Sequence, residues 1–304
     1  MRIANLTGRA VLVCADEAID IAASSAGAYG PDPQHVYENW AEFRSWAVHA
    51  EGNAAPFDPA RLRLPVPRPR QVFAIGFNYL DHSDEAGTEP PRHPTVFTKF
   101  SSSLTGPYAT VALSEQMLAD WEVELVVVIG TGGRHIPVGT AWDHIAGFTV
   151  GQDLSDRKLQ MRKPAPPQYS LGKSWPGFGP TGPYVVTTDE LADPADLAIE
   201  CWLGEERVQA SRTSKLLFTV PDLVSRLSQT LTLFGGDLIF TGTPSGVGAF
   251  RTPPRWLRPG DVLTSTIEGL GSIVTRFTAE DAGDSVSAEQ GHQPVGAAAR
   301  EWGR

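Results

Sequence analysis

The run Asp120-Trp121-Glu122-Val123-Glu124-Leu125-Val126-Val127-Val128-Ile129-Gly130 constrains this chain more than any other segment. Its second half is continuously aliphatic, which suits a strand buried on both faces. Its first half carries two carboxylates in alternation. Residues two apart on a strand project from the same face, so Glu122 and Glu124 stand side by side at the end of that strand. Like charges packed there are costly unless a cation joins them. The competing reading of the pair is a solvated strand end.

The 304 residues suggest about two domains, or one large domain with a small appendage. With 41% hydrophobic and 20% charged residues, a chain disordered throughout and a fibrous one are excluded. Thirty Gly and 25 Pro indicate a turn-rich, sheet-heavy fold rather than a helical bundle. The formal net charge of −10, with no long Lys/Arg run, argues against nucleic acid and anionic membrane as partners. Cys14 and Cys201 match no zinc spacing and read as free thiols. The first residues lack an apolar signal-peptide core, and Leu125 to Ile129 is too short to span a bilayer; the expectation is a soluble, cytoplasmic protein.

Residues 1–21 alternate as strand, Gly8 turn and strand. Val36, Trp40, Phe43 and Ala47 recur at helical spacing and predict one amphipathic helix from His35 to Ala50. Residues 53–70 contain five prolines and read as an extended linker, which sets a boundary between a small N-terminal domain (1–65) and a main domain (66–278). Beyond it, strands are expected at Val72–Gly76, Ala146–Gly151, Asp237–Phe240 and around Val262 and Ile273. Helices are expected within 78–85, 155–162 and 220–233. Residues 279–304 lose periodicity and are expected to be disordered.

Asp153 follows a second apolar strand, Phe148 to Gln152, and raises the significance of the glutamate pair. Three carboxylates without a His or Cys cluster suit a hard ion, Mg²⁺, Mn²⁺ or Ca²⁺, rather than Zn²⁺. They leave coordination positions for water and a bidentate substrate.

Several ordered blocks now carry a resemblance. They are Gly76-Phe77-Asn78-Tyr79-Leu80-Asp81-His82 with Glu85; Glu122-Val123-Glu124-Leu125; Gly147 to Asp153 with Ser155, Arg157 and Gln160; Gly172-Lys173-Ser174; Gly179-Pro180-Thr181-Gly182-Pro183; Gly236 to Gly248; and Pro259-Gly260-Asp261 with Ile267 to Gly271. In this order the chain resembles the fumarylacetoacetate hydrolase family over residues 70–278. The resemblance implies an α+β fold, a mixed β-roll with a small N-terminal domain, usually assembled as a homodimer.

It also implies that Glu122, Glu124 and Asp153 ligate Mg²⁺ or Mn²⁺ and that His82 and Glu85 activate water. An i,i+3 spacing on a helical turn allows Glu85 to hold one imidazole nitrogen while the other takes a proton. The competing reading of His82, beside Asp81, Asp84 and Glu85, is a solvated acidic turn. Arg157, Gln160 and Lys173 fall on family positions that meet the substrate's developing negative charge, and Thr243 lies beside its carboxylate. Arg157 and Lys173 can reverse the net negative charge that three carboxylates and a divalent ion leave. The polar segment from Asn78 to Thr88, with Gly87 as a hinge, has few apolar anchors and is expected to be mobile.

The chain departs from the family pattern at Gln152, where Asn is frequent, at Lys158, where Asp is frequent, and at Trp175-Pro176, which is expected to reshape the pocket. Two classes of function follow. The first is a metal-dependent enzyme that cleaves a carbon–carbon bond in an acylpyruvate or other 2-oxo acid through a metal-chelated enolate, with decarboxylation, isomerisation or hydration as alternatives on the same site. The second is a non-catalytic dimeric binding protein, which has no need of a water-activating pair.

Overall fold

The computed structural model describes residues 1–164 and 166–280. Two sheets enclose the main core. The larger runs from edge to edge through Ala55–Pro56, Glu17–Asp20, Arg9–Cys14, Arg2–Leu6, Gly179–Val186, Ile145–Gln152, Val123–Ile129, Leu238–Phe240, Val72–Gly76 and Thr95–Thr98. The second orders Glu206–Arg212, Ala198–Leu203, Val262–Ile267, Gly271–Ala279 and Tyr108–Leu113. Most neighbours are antiparallel; Leu238–Phe240 with Val72–Gly76 and Gly271–Ala279 with Tyr108–Leu113 are parallel. The result is the mixed, sheet-dominated α+β architecture expected.

The aliphatic strand explains why the sheets close as they do. Val123, Leu125, Val127 and Ile129 enter the core between the sheets, whereas Val126 and Val128 pack in a second cluster with Trp40, Phe43 and Phe240. All residues of Val123–Ile129 are buried, so both faces are covered, as the unbroken apolar run requires. The same alternation places Glu122 and Glu124 on the side of Val126 and Val128, at the end of the strand where that face gives way to a cavity. Val220–Thr230 forms the expected amphipathic helix: Thr219 caps it through the amide of Asp222, and Leu223, Val224 and Leu227 face the core.

Three expectations change in detail. The helix over 35–50 is broken into His35–Glu38 and Trp40–Ala47, because Asn39 leaves helical conformation at φ −126°, ψ 50°. Asn is a poor helix interior residue, and periodicity alone did not register it. Residues 1–65 do not stand apart: Arg2 pairs with Val186 and Ile3 with Val185, extending the large sheet, and the Pro-rich stretch is pinned by Leu62 opposite Leu6 and by buried Val66. The expected tail begins later than residue 279: Thr278 and Ala279 pair with Ala112 and Leu113, and Glu280 donates its amide to the Leu113 carbonyl. Residues 281–304, where disorder was expected, lie outside the described residues.

Candidate active site

The antiparallel pairing of Val123–Ile129 with Ile145–Gln152 brings Val123 opposite Gln152 and so carries Asp153 beside Glu122. The amide of Asp153 donates to the Glu122 carbonyl at 2.9 Å. Glu122, Glu124 and Asp153 are buried, and each offers a carboxylate oxygen within 4.8 Å of the others. Gln152, the departure from the family's Asn, fixes this corner: its Oε1 accepts the Glu122 amide at 2.9 Å while its Nε2 donates to Ser265 Oγ at 2.8 Å.

Cations surround the triad. Lys173 Nζ donates to Glu122 Oε2 at 2.6 Å and Asp153 Oδ2 at 2.5 Å. Arg157 sits 2.7 Å from Glu122 Oε1 and 2.8 Å from Asp120 Oδ2, and its Nη1 donates to Gln160 Oε1 at 3.0 Å. Burial opposes ionisation of Glu122, yet Lys173 and Arg157 outweigh it and hold that carboxyl down at about 2. Glu124 goes the other way. Its burial, reinforced by the charges of Asp153 and Glu122, raises its carboxyl well above the ordinary range. Two adjacent carboxyls pushed in opposite directions, all hard oxygen donors, fit a site for a divalent cation. For Lys173, Asp153 and Glu122 outweigh burial and hold the ammonium charged.

His82 lies on the helix Leu80–Glu85 and is buried, which removes the solvated-turn reading. Its Nδ1 is 3.3 Å from Glu85 Oε2, as the i,i+3 spacing implied. Phe77 stacks on the imidazole at 5.2 Å between ring centres, and Phe250 lies against it at 5.7 Å. The segment is thus anchored by Phe77 and Phe250 as well as by its own buried Tyr79 and Asn78. Phe77 is placed by a left-handed turn (φ 53°) directly after the strand Val72–Gly76.

These groups share one cavity of about 170 Å³, with Glu122, Arg157, Gln160, Lys173, Thr243 and His82 at its polar side and Phe77, Phe97, Met161, Tyr169 and Phe250 as apolar walls. Gln160 spends its carbonyl on Arg157 and keeps its amide N–H groups for the cavity. Thr243 is more committed than expected: its hydroxyl donates to the Val123 carbonyl at 2.9 Å and accepts from Gln209 Nε2 at 2.8 Å. Trp175 is absent from the lining, so the expected reshaping of the pocket by Trp175-Pro176 does not act by contact.

Three functional neighbours escaped the sequence reading. Lys99 is fully buried and donates to Asp153 Oδ1 at 2.7 Å and to the Lys173 carbonyl. Asp120 accepts from the amides of Trp121, Gly248 and Ala249 and from Arg157. Gly242, at φ +100°, directs its amide to Glu124 Oε2 at 2.7 Å. Asp120, adjacent to the glutamate pair, and Gly242, within the Gly236 to Gly248 block, had a local signal; Lys99 had none.

The comparisons with known proteins fit this geometry. The family model described as "Fumarylacetoacetate (FAA) hydrolase C-terminal" matches residues 71–278. "Oxaloacetate tautomerase Fahd2a, mitochondrial" of Rattus norvegicus is 46% identical over 231 residues, 76% of this chain and 73% of that protein. Among solved structures, a protein described as a putative HpcE protein from Mycobacterium smegmatis superposes with a TM-score of 0.88 at 52% identity, covering 92% of this chain and all of that one. Maleylpyruvate hydrolase from Sphingobium sp. SYK-6, in complex with manganese (II) ion and pyruvate, gives 0.75 at 27% identity over 92% of this chain and 99% of its own.

The cytoplasmic expectation is corrected by the relatives, since the rat protein and its two human counterparts are mitochondrial by name. An apolar signal core marks secretion, and its lack does not separate cytoplasm from organelle. Among the described residues, no helix is long and apolar enough to cross a membrane. With sequence blocks, sheet order and family model agreeing over the same two hundred residues, the chain belongs to the fumarylacetoacetate hydrolase family, a family of enzymes.

Proposed function

We propose that this protein catalyses proton transfer between the keto and enol forms of a 2-oxo acid, with residues 66–278 as the catalytic unit. The observation that carries this reading is the His82–Glu85 pair, whose imidazole lines the same cavity as Glu122 of the carboxylate triad. Nδ1 faces Glu85, so Nε2 is the nitrogen left to exchange a proton with substrate.

Glu122, Glu124 and Asp153 are the residues that hold a divalent ion, Mg²⁺ or Mn²⁺ in this proposal, and Lewis-acid polarisation of the 2-oxo group is the chemistry the ion supplies. His82 Nε2 takes a proton from the carbon next to that group, and the electron pair of the broken C–H bond moves toward the 2-oxo oxygen. Lys173 and the amide of Gln160 stabilise the charge there; Arg157 orients Glu122 and Gln160. The imidazolium of His82 then gives that same proton to the oxygen, which completes the enol and returns the imidazole to its starting form. Glu85 keeps the imidazole in one tautomer. Phe77 and Phe250 exclude water from the imidazole faces.

Oxaloacetate is the first substrate to test, on the name of the rat relative. Carbon–carbon hydrolysis of an acylpyruvate is the second reading, favoured by the same dyad being able to activate water and by the name of the Sphingobium relative. A homodimer, expected from the family, belongs to the proposal and is checked by analytical ultracentrifugation.

The deciding experiment follows enol loss and pyruvate release in parallel for oxaloacetate, maleylpyruvate and a simple acylpyruvate, with Mg²⁺ and with Mn²⁺. Metal-dependent enol–keto conversion without cleavage is the expected result. Cleavage of the acylpyruvate outpacing tautomerisation establishes the second reading. Turnover of neither class overturns both.

A further inference from the structure

Asp153 has no oxygen to itself. Lys99 Nζ occupies Oδ1 at 2.7 Å and Lys173 Nζ occupies Oδ2 at 2.5 Å. Both oxygens of Glu122 likewise face cations, Arg157 on one side and Lys173 on the other. Three carboxylates (Asp120, Glu122, Asp153) are therefore paired with three cations (Lys99, Arg157, Lys173) before any metal ion arrives, and the carboxyl of Glu124, raised well above the ordinary range, adds little charge. Arg157 and Lys173 line the cavity and serve substrate as well.

Lys99 does not line it. Its side chain has no solvent exposure, it sits behind Asp153, and its other bond goes to the backbone carbonyl of Lys173. A buried ammonium is costly to desolvate, and only close partners such as Asp153 offset that cost. A cation so placed cannot touch substrate. Its charge acts on the triad alone.

We propose that Lys99 is a positioning residue that lowers the triad's affinity for a bare divalent ion, so that firm metal binding awaits the anionic oxo acid. The inference rests on the reading of Glu122, Glu124 and Asp153 as a divalent-ion site. Coulomb repulsion between Lys99 and a dication across one carboxylate is large even at an effective dielectric of about 20. An oxo acid that chelates the ion adds the negative charge that Lys99 cancels. The Lys99 contact to the Lys173 carbonyl ties the same cation to the residue facing substrate.

The test is isothermal calorimetry of Mn²⁺ on metal-free protein, with and without oxalate, for wild type, Lys99→Met and Lys99→Arg. Lys99→Met is expected to bind Mn²⁺ about tenfold tighter or more, and to gain less from oxalate than wild type does. Lys99→Arg keeps the charge and is expected to stay within about threefold. Loss of a merely structural contact would weaken metal binding, so the sign discriminates. Unchanged or weaker Mn²⁺ binding in folded Lys99→Met overturns this inference and leaves the metal site standing; no Mn²⁺ binding by wild type, with or without oxalate, overturns both.

Should Lys99→Met not fold, Lys99→Gln carries the same expectation, since it keeps a donor to Asp153 without the charge. Wild type gives an independent reading through La³⁺ and Ca²⁺, ions of similar size and different charge. A nearly neutralised site is expected to prefer La³⁺ by less than roughly 10³, and a larger preference overturns the inference.

Discussion

Gly246 donates its backbone N–H to both carboxylate oxygens of Glu85, at 2.9 and 3.1 Å, across 161 positions of the chain. The bifurcated contact fixes the carboxylate whose Oε2 meets His82. Two and three residues further on, the amides of Gly248 and Ala249 hold Asp120, which in turn grips Arg157. Phe250 then lies against the imidazole. One short loop thus positions the proton-transfer pair and the arginine beside the carboxylate triad.

That loop tolerates no side chain at its start. Gly246 has φ +104°, and a Cβ there would fall 2.1 Å from the Val208 carbonyl oxygen. Gly246→Ala is expected to lower stability by about 1–3 kcal/mol and to cut turnover, because Glu85 loses its anchor. Mn²⁺ affinity by calorimetry should stay near wild type, since Gly246 touches none of the three carboxylates. A variant with full turnover would show that the anchor is dispensable.

His82→Ala removes the proposed proton carrier while leaving Glu122, Glu124 and Asp153 in place. Turnover is expected to fall by roughly 10² to 10⁴, the usual cost of a lost general base. Metal and oxalate affinities should hold. Normal turnover in steady-state assays would shift the chemistry to Lys173 and the metal site alone.

Asp153→Asn keeps the size of the side chain and an acceptor for one lysine but removes one of three ligand charges. Divalent-ion binding is expected to be lost, with the fold retained by circular dichroism. Oxalate binding to wild type should require the metal, because its two adjacent oxygens chelate the ion while Lys173 and Arg157 are already engaged by Glu122, Asp153 and Asp120. Equal oxalate affinity in metal-stripped protein would contradict the chelating arrangement.

The acid stability of the metal-free protein follows from Glu122. Although burial opposes its charge, Lys173 and Arg157 hold its carboxyl at about 2 against an ordinary 4.5. A depressed carboxyl favours the folded state above the ordinary value, and that contribution is lost as pH falls toward the folded value. The Tm of wild type should therefore drop between pH 4.5 and about 2 more steeply than that of Glu122→Gln, measured by thermal unfolding without metal.

Much of this molecule was legible before folding. The unbroken run Leu125–Ile129 required a doubly covered strand, and alternation put Glu122 and Glu124 on one face of it. The spacing of His82 and Glu85 needed only one helical turn to bring them together. Leu223, Val224 and Leu227 faced the core as their period required. Each of these relations is local, set by the repeat of a single strand or helix.

Partners that meet across the fold were decided elsewhere. Lys99 directly follows the edge strand Thr95–Thr98 and meets Asp153 only in the folded chain, and nothing in Phe97-Thr98-Lys99-Phe100 announces a buried cation. The hydroxyl of Thr243 was spent on Val123, the first strand joined Val186, and Asn39 interrupted a helix whose apolar spacing ran through it. Periodicity reports which face of an element is covered. It does not report what covers it, because that depends on sheet order and register, which bring residues 54 or 161 positions apart within a hydrogen bond of each other.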